Sequence, residues 1–488
     1  MNTIDSPICC EGKTVLVIFG GSGDLTFRKL IPALYNLHVL GAVTTGFEVV
    51  AIGRRPWTTA GYHEKARNWA REQVRVPFDE ASWSDFAGRL YYHRMDLGDL
   101  EAYQELDRLL EAGCPDSRRV FYYAVAPSWF RAVTRGVVRA GLNRSGSRII
   151  LEKPFGDTLE EARELHAELV SAYGEAELYH IDHYLGKEMV RNILWLRFRN
   201  AIFRHVWGRH AISDIQINAF EAEGVGSRGG YYDEAGAFRD MVQNHLFQVL
   251  SVLAIEPPAD GTAAALHDEQ RRVLEALRPV ERRALGQHLV MGQYEGYRRE
   301  ERVDPESAAP TYVALRLFVD TPRWHGVPFY IRTGKSLHTR DMEIVIRFRA
   351  TDPAAAPDLL VIKVQPDEGV FLRFNVKQPG RGEELTRVYM DYCQSCHLEN
   401  YRNTPEAYER LLMAAVNGDQ SLFSRWDQIE ASWRFANEVI AAWEADGAPL
   451  ASYEQGSRGP VEAERLPAID GLDWVVSNLP ETSLRAFA

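Results

Sequence analysis

Short segments of this 488-residue chain gather residues that can do chemistry. Gly20-Gly21-Ser22-Gly23-Asp24-Leu25 stands between an apolar run and a helical one. Glycines at such a junction permit a tight turn, and they let backbone N–H groups approach a pyrophosphate at the positive end of a helix dipole. The G-x-x-G spacing is shorter than the common G-x-G-x-x-G, so the strand–turn–helix context carries the nucleotide reading. A second apolar run ends in Gly53-Arg54-Arg55. An acid at that point binds the ribose 2′-hydroxyl of NAD, whereas an arginine accommodates the 2′-phosphate of NADP. No acid stands there, which favours NADP.

Glu152-Lys153-Pro154-Phe155-Gly156 closes a third apolar run, at the carboxyl edge where open α/β sheets bind ligands. The lysine can bridge substrate oxygens and the cofactor; the pentapeptide alone reads equally well as a surface lysine before a turn proline. In Ile181-Asp182-His183-Tyr184-Leu185-Gly186-Lys187-Glu188, a helix starting near Tyr184 would set His183 and Lys187 at i and i+4, near the positive helix end. Imidazole, phenol and ammonium would then surround a space suited to phosphate, although a solvated helix start without ligand fits as well. Arg228-Gly229-Gly230-Tyr231-Tyr232-Asp233 runs on to Asp240-Met241-Val242-Gln243-Asn244-His245-Leu246. A lone histidine on such an apolar helix is more often structural than a base, and it gains chemistry only with a carboxylate partner. Cys393, Cys396 and His397 spell C-x-x-C-H, the covalent haem pattern. Neither export nor a distal ligand is signalled, and no second ligand pair for zinc is evident. Reduced thiols, a surface histidine and no metal are expected.

The elements that must position these residues change in texture along the chain. Thr14 to Phe19 reads as a buried strand and Asp24 to Leu40 as its helix, with Leu30, Leu34 and Leu37 on one face and Gly41 as the stop. Phe47 to Ile52, Val120 to Ala124 and Arg148 to Glu152 are further strands, alternating with helical stretches such as Trp129 to Ala140. That alternation is the pattern of a parallel sheet wound with helices. Beyond Tyr179, after a helix near Lys187 to Phe198, β-rich runs follow: His210 to Phe220, Thr311 to Val319, Phe329 to Arg332, Met342 to Phe348, Leu359 to Gln365 and Val370 to Lys377. They lack crossover helices, which favours a largely antiparallel sheet; helices return between Thr404 and Ala445. The expected fold is a Rossmann-like α/β dinucleotide-binding domain over residues 1–180, then a larger α+β substrate-binding and oligomerisation domain over residues 181–488.

Composition excludes several classes. Against 56 Lys and Arg stand 68 Asp and Glu, a formal charge of −12, which argues against wide nucleic-acid or anionic-membrane surfaces. A small anionic substrate therefore needs a local basic pocket. No apolar run approaches the ~20 residues of a spanning helix, and Met1 to Lys13 lacks the features of a secretory signal. A cytoplasmic protein is expected.

Taken in order and at these separations, the Gly-x-x-Gly-Asp-Leu, Glu-Lys-Pro-Phe-Gly, Asp-His-Tyr-Leu-Gly-Lys and Arg-Gly-Gly-Tyr-x-Asp…Gln-Asn-His-Leu segments resemble the glucose-6-phosphate dehydrogenase family. The resemblance runs from about Lys13 to the helices near Trp443 and includes Val327-Pro328-Phe329-Tyr330-Ile331-Arg332-Thr333-Gly334-Lys335 and Val364-Gln365-Pro366. It implies oxidation of the C1 hydroxyl of β-D-glucose 6-phosphate to 6-phospho-D-glucono-1,5-lactone with hydride transfer to NADP, the first step of the oxidative pentose phosphate pathway. By the same resemblance His245 is the base, and Asp182 orients its imidazole. His183, Tyr184, Lys187 and Lys335 match the phosphate ligands, while Glu221, Asp240 and Gln365 match the ligands of the sugar hydroxyls. Lys153 lies between substrate and cofactor, and Arg340 near the substrate entrance. Where the family carries Gly-x-Ala-Arg, this chain has Gly53-Arg54-Arg55-Pro56, so either arginine can hold the 2′-phosphate and use of NAD stays open. The family assembles through its second domain, which implies a homodimer or homotetramer. Two rivals remain in view: sugar or inositol dehydrogenases with a Glu-Lys-Pro motif, and a non-catalytic sugar-phosphate or NADP-binding regulator. The phosphate cluster speaks against the first, and the presence of both Asp182 and His245 against the second.

Overall fold

Apolar runs too short for helices build the first sheet. β1 (Thr14–Phe19), β2 (Phe47–Gly53), β3 (Leu90–Arg94), β4 (Arg118–Tyr123), β5 (Arg148–Leu151) and β6 (Leu178–His180) are buried almost throughout. Burial on both faces is what a parallel sheet under two helical layers requires. The computed structural model, which describes residues 14–43, 46–394 and 405–475, pairs them all in parallel in the order β3-β2-β1-β4-β5-β6. The order reverses between β1 and β4, the point at which a doubly wound sheet binds nucleotides. The crossovers carry α1 (Ile31–Val39), α2 (Thr59–Gln73), α3 (Glu80–Ala87), α4 (Leu100–Gly113), α5 (Phe130–Arg139) and α6 (Leu159–Tyr173). Thr58, Asp79, Asp99 and Thr158 cap four of these helices by accepting a first-turn N–H.

The helix expected over Asp24 to Leu40 forms from Asp24 to Val39. Its turns are of the wide π type over Thr26–Leu30 and of the α type from Ile31, with Pro32 just after the change. Proline has no N–H to donate, so the ladder changes its spacing there.

By compactness the chain forms two units, Met1–Gly186 with Pro405–Trp426, and Lys187–Thr404 with Asp427–Ala488. The return of residues 405–426 to the first unit was not part of the expected division into two contiguous stretches. Helix Ala407–Asn417 packs on α1, and its Leu411, Leu412, Ala414 and Ala415 join Ile31, Leu34 and Tyr35 in one core. Its Glu409 is fully buried: Asn36 Nδ2 donates to Oε1 at 2.9 Å, and Arg75 donates from Nε and Nη2 to the two oxygens at 2.7 Å. Arg148 donates to the terminal carbonyls of Ala415 and Val416, where the helix dipole is negative.

In the second unit β7 (Ile212–Phe220), β8 (Leu289–Tyr294), β9 (Tyr312–Phe318), β10 (Pro328–Gly334), β11 (Asp341–Phe348), β12 (Leu359–Gln365), β13 (Gly369–Lys377), β14 (Leu385–Cys393) and β15 (Ala451–Tyr453) form a sheet in the order β14-β13-β12-β11-β7-β10-β9-β8-β15. It is mostly antiparallel; β10 with β7 and β15 with β8 are the parallel pairs. Among the described residues no helix is long and apolar enough to cross a membrane.

The cysteines correct the expectation of reduced thiols: Cys393, at the end of β14, is disulfide-bonded, and so is the buried Cys114 after α4. A bridge needs two sulfurs within bonding reach, and spacing along the chain does not say which ones meet. Cys396 and His397 of the C-x-x-C-H pattern lie outside the described residues.

Replacing Glu409 by Ala would leave the buried Arg75 guanidinium without its carboxylate. The expected cost is about 3–5 kcal/mol, read as a lower urea midpoint for the variant than for the parent chain.

Candidate active site

The nucleotide loop is fixed from both sides by backbone. Gly20 has φ +90°, and a Cβ there would lie 2.2 Å from the Ala124 carbonyl oxygen; one on Gly21 would lie 2.6 Å from Ala51 Cβ. No side chain fits at either place, so the loop after β1 lies close against β2 and the end of β4. The N–H groups of Gly20 and Gly21 donate to the Ile52 carbonyl, and Gly23 N–H and the Thr26 hydroxyl donate to Gly20 O at 2.8 and 3.0 Å. Tyr62 donates to the Gly21 carbonyl at 2.8 Å. Ser22 meets the Tyr92 phenol, Asp24 pairs with Arg28 at 3.2 Å, and Leu25 packs on the core. Arg54 and Arg55 are exposed beyond β2. The Arg55 guanidinium stacks 4.8 Å over the Trp57 ring, with the Lys65 ammonium 5.1 Å from the same ring. Trp57 and Lys65 were missed from sequence; the Arg-Pro-Trp run after the strand was the available signal.

At the carboxyl edge of β5 the first unit gathers its reactive groups. Lys153 Nζ donates to Asp182 Oδ2 at 2.9 Å, and both groups are largely or wholly buried. Asp182 Oδ1 accepts the Tyr184 N–H at 2.9 Å. Beside them Glu152 Oε1 accepts the phenols of Tyr122 at 2.5 Å and Tyr408 at 3.2 Å. Burial pushes the Glu152 carboxyl above its ordinary range, opposed by those two donors and by Lys153. Pro154 follows Lys153 through a cis peptide bond, as Pro366 follows Gln365.

The helix expected near Tyr184 does not start there. Residues 183–186 form a turn, and the helix runs Glu188–Arg199 with Lys187 as its N-cap. The Asp182 carboxylate takes the Tyr184 N–H in a local side-chain turn, which competes with helical pairing. His183 and Lys187 therefore do not share one helical face; the His183 ring packs on that of Tyr184 with centroids 4.7 Å apart.

The second unit holds two further groupings. Lys187 Nζ donates to Gln365 Oε1 at the end of β12. Lys335, just after β10 and almost fully buried, pairs with Glu221 just after β7, and its ammonium stands 5.4 Å from the Tyr232 ring centroid. The Lys335 and Glu221 loops are laced by Glu221 N–H to Gly334 O and Leu337 N–H to Glu221 O. Asp240 accepts from Tyr231 at 3.4 Å, and with Glu221 it lies in the field that burial and these carboxylates impose on the Tyr232 phenol, raising its pKa well above normal. His245 is buried in the wide helical segment Phe238–Leu246, which packs against β9 and β10. Arg340 is exposed, 3.8 Å from Glu223. Asp233 is structural: it accepts from Tyr297 at 3.0 Å and from Ser307 and the Asp304 N–H.

The chain matches a known family over nearly its whole length. Residues 17–192 match the family model described as glucose-6-phosphate dehydrogenase, NAD binding domain, and residues 194–475 match its C-terminal domain. The chain belongs to the glucose-6-phosphate dehydrogenase family. A glucose-6-phosphate 1-dehydrogenase of Bacillus subtilis is 39% identical over 95% of this chain and 98% of that protein. A glucose-6-phosphate dehydrogenase solved in complex with its substrate superposes with TM-score 0.88 at 33% identity, covering 96% of this chain and 99% of that one. The Mycobacterium avium enzyme superposes with TM-score 0.83 at 34% identity, covering 96% and 100%. For a glucose-6-phosphate dehydrogenase family member, the glycine-rich turn at the strand-order reversal fits a nicotinamide dinucleotide.

Gly20→Ala tests this turn. Forcing a side chain into positive φ costs about 1–3 kcal/mol, and the new methyl carbon meets the Ala124 carbonyl. Dinucleotide affinity measured by nicotinamide fluorescence is expected to fall about fivefold or more by that estimate.

Proposed function

We propose that the chain oxidises the C1 hydroxyl of β-D-glucose 6-phosphate to 6-phospho-D-glucono-1,5-lactone and prefers NADP as hydride acceptor. What carries this reading is the likeness, over 96% of the chain, to a dehydrogenase solved with glucose 6-phosphate bound, in a sequence that contains Asp182, His183, Tyr184, Lys187, His245 and Lys335.

The C1 hydroxyl is too weak an acid to ionise unaided at neutral pH. His245 takes its proton while the hydride leaves C1, and imidazole suits the task because its ordinary pKa lies near working pH. Asp182 orients that imidazole and stabilises its protonated form. His183, Tyr184, Lys187 and Lys335 bind the phosphate, and Glu221, Asp240 and Gln365 bind the sugar hydroxyls. Lys153 bridges substrate and cofactor, and Arg340 flanks the entrance. The bound dinucleotide supplies the hydride acceptor. Arg54 is assigned to the 2′-phosphate, because Arg55 lies against Trp57. We place the enzyme in the cytoplasm as a homodimer or homotetramer, a state supported by the exposed Leu385, Met390 and Tyr392 on β14.

The deciding assay is nicotinamide reduction with glucose 6-phosphate, run with NADP and with NAD, and with unphosphorylated glucose as control. Phosphate-dependent reduction is the expected result. No reduction with either cofactor would favour the non-catalytic reading. In His245→Asn, turnover should drop by ~10²–10⁴ while the Kd for glucose 6-phosphate stays close to the parent value; unchanged turnover would remove His245 as the base. Arg54→Ala should lower the NADP-to-NAD ratio of kcat/KM, by about tenfold for one lost charged hydrogen bond, and Arg55→Ala should lower it less.

A further inference from the structure

The returning helix Ala407–Asn417 reaches two of the reactive segments of the first unit through its first turn. Successive residues of an α-helix point about 100° apart, so Tyr408, Glu409 and Arg410 serve three directions. Glu409 enters the core to Asn36 and Arg75. Tyr408 donates to Glu152 at 3.2 Å, the residue before Lys153. Arg410 Nη1 donates to the Gly186 carbonyl at 3.2 Å. The turn lies directly on this helix: a Cβ at Gly186 would come within 3.1 Å of Ala407 Cβ and Leu411 Cδ1. Within the turn Gly186 N–H reaches the Asp182 carbonyl at 3.3 Å, and Asp182 holds both Tyr184 N–H and the Lys153 ammonium at 2.9 Å. The contacts thus close a ring that starts and ends on one helical turn.

We propose that Tyr408 and Arg410 are positioning residues for the reaction: Tyr408 acts through Glu152 on Lys153, and Arg410 acts through the Gly186 carbonyl on the turn that presents His183 and Tyr184. The inference rests on the roles assigned above to Lys153, His183 and Tyr184. It gives the two residues different signatures. Arg410 bears on the phosphate end of the substrate, and Tyr408 on the lysine that serves substrates with or without a phosphate.

The test compares Arg410→Met, Arg410→Lys and Tyr408→Phe with the parent in full-length enzyme, by kcat and KM for glucose 6-phosphate, for unphosphorylated glucose and for the dinucleotide. Arg410→Met should raise KM for glucose 6-phosphate about fivefold, the scale of one lost hydrogen bond, and leave the slow turnover of glucose and the dinucleotide KM near parent values. Arg410→Lys, which keeps a donor, should recover most of that loss. Tyr408→Phe should lower kcat/KM for both sugars by a common factor of about fivefold. Should Arg410→Met fail to fold, Arg410→Gln takes its place with the same expectation. Near-parental constants in both variants would overturn the proposal, as would an Arg410→Met loss shared equally by the two sugars, which marks a merely structural residue. Lys153→Met and His183→Ala separate the two levels of inference. If these leave the constants unchanged, the site reading fails and takes this proposal with it; if they impair the enzyme while Tyr408→Phe and Arg410→Met do not, only the positioning roles fail.

Discussion

A carboxylate without solvent access cannot stay ionised alone, and Glu409 is buried completely. Its charge is met by a two-pronged Arg75 and by Asn36, which come from the other end of the first unit's chain. That geometry leaves the returning helix one depth and one rotation on α1. Leu411, Leu412, Ala414 and Ala415 then fall into the core, where burial of apolar surface supplies the driving force that the ion pair does not. The directions of Tyr408 and Arg410 are set by the same rotation. A buried charge pair is weak evidence for stability, but the helix that carries this one reaches both the Glu-Lys-Pro edge and the turn after Asp182.

The same electrostatic economy explains how an acidic chain keeps basic groups ready. Lys153 rests on Asp182, Lys335 on Glu221, and Lys187 on the neutral oxygen of Gln365. Each lysine side chain ends against an oxygen away from bulk water. Charge suited to an anion is thereby stored pair by pair, and the formal −12 of the whole chain has little bearing on it, because fields from distant exposed charges are screened within about 10 Å.

What could be read from sequence was local. The β1, β2 and β5 strands announce themselves as apolar runs ending in glycine, arginine or lysine–proline punctuation, and those ends are where the reactive residues stand. β3, with Tyr-Tyr-His-Arg, and the exposed β14 carry no such contrast, and β15 has only three residues. The helix expected at Tyr184 failed because one carboxylate, Asp182, captured the N–H that would have begun it. Tyr122, Tyr408 and Arg410 could not be found at all. Their partners lie 30, 256 and 224 residues away along the chain, and apolar periodicity says which face of a helix is covered but never by what.

The excursion of the chain through the second unit also sets an order of events during synthesis. After Gly186 the ribosome must deliver the whole stretch to Thr404 before Pro405–Trp426 can take its place in the first unit. At bacterial to eukaryotic elongation speeds of ~5–20 residues per second, that delay is on the order of ten to forty seconds. Throughout it the nascent dinucleotide-binding sheet presents the apolar face of α1, with Arg75 and Asn36 lacking their carboxylate. The N-terminal unit is thus the first to be made and not the first to be finished.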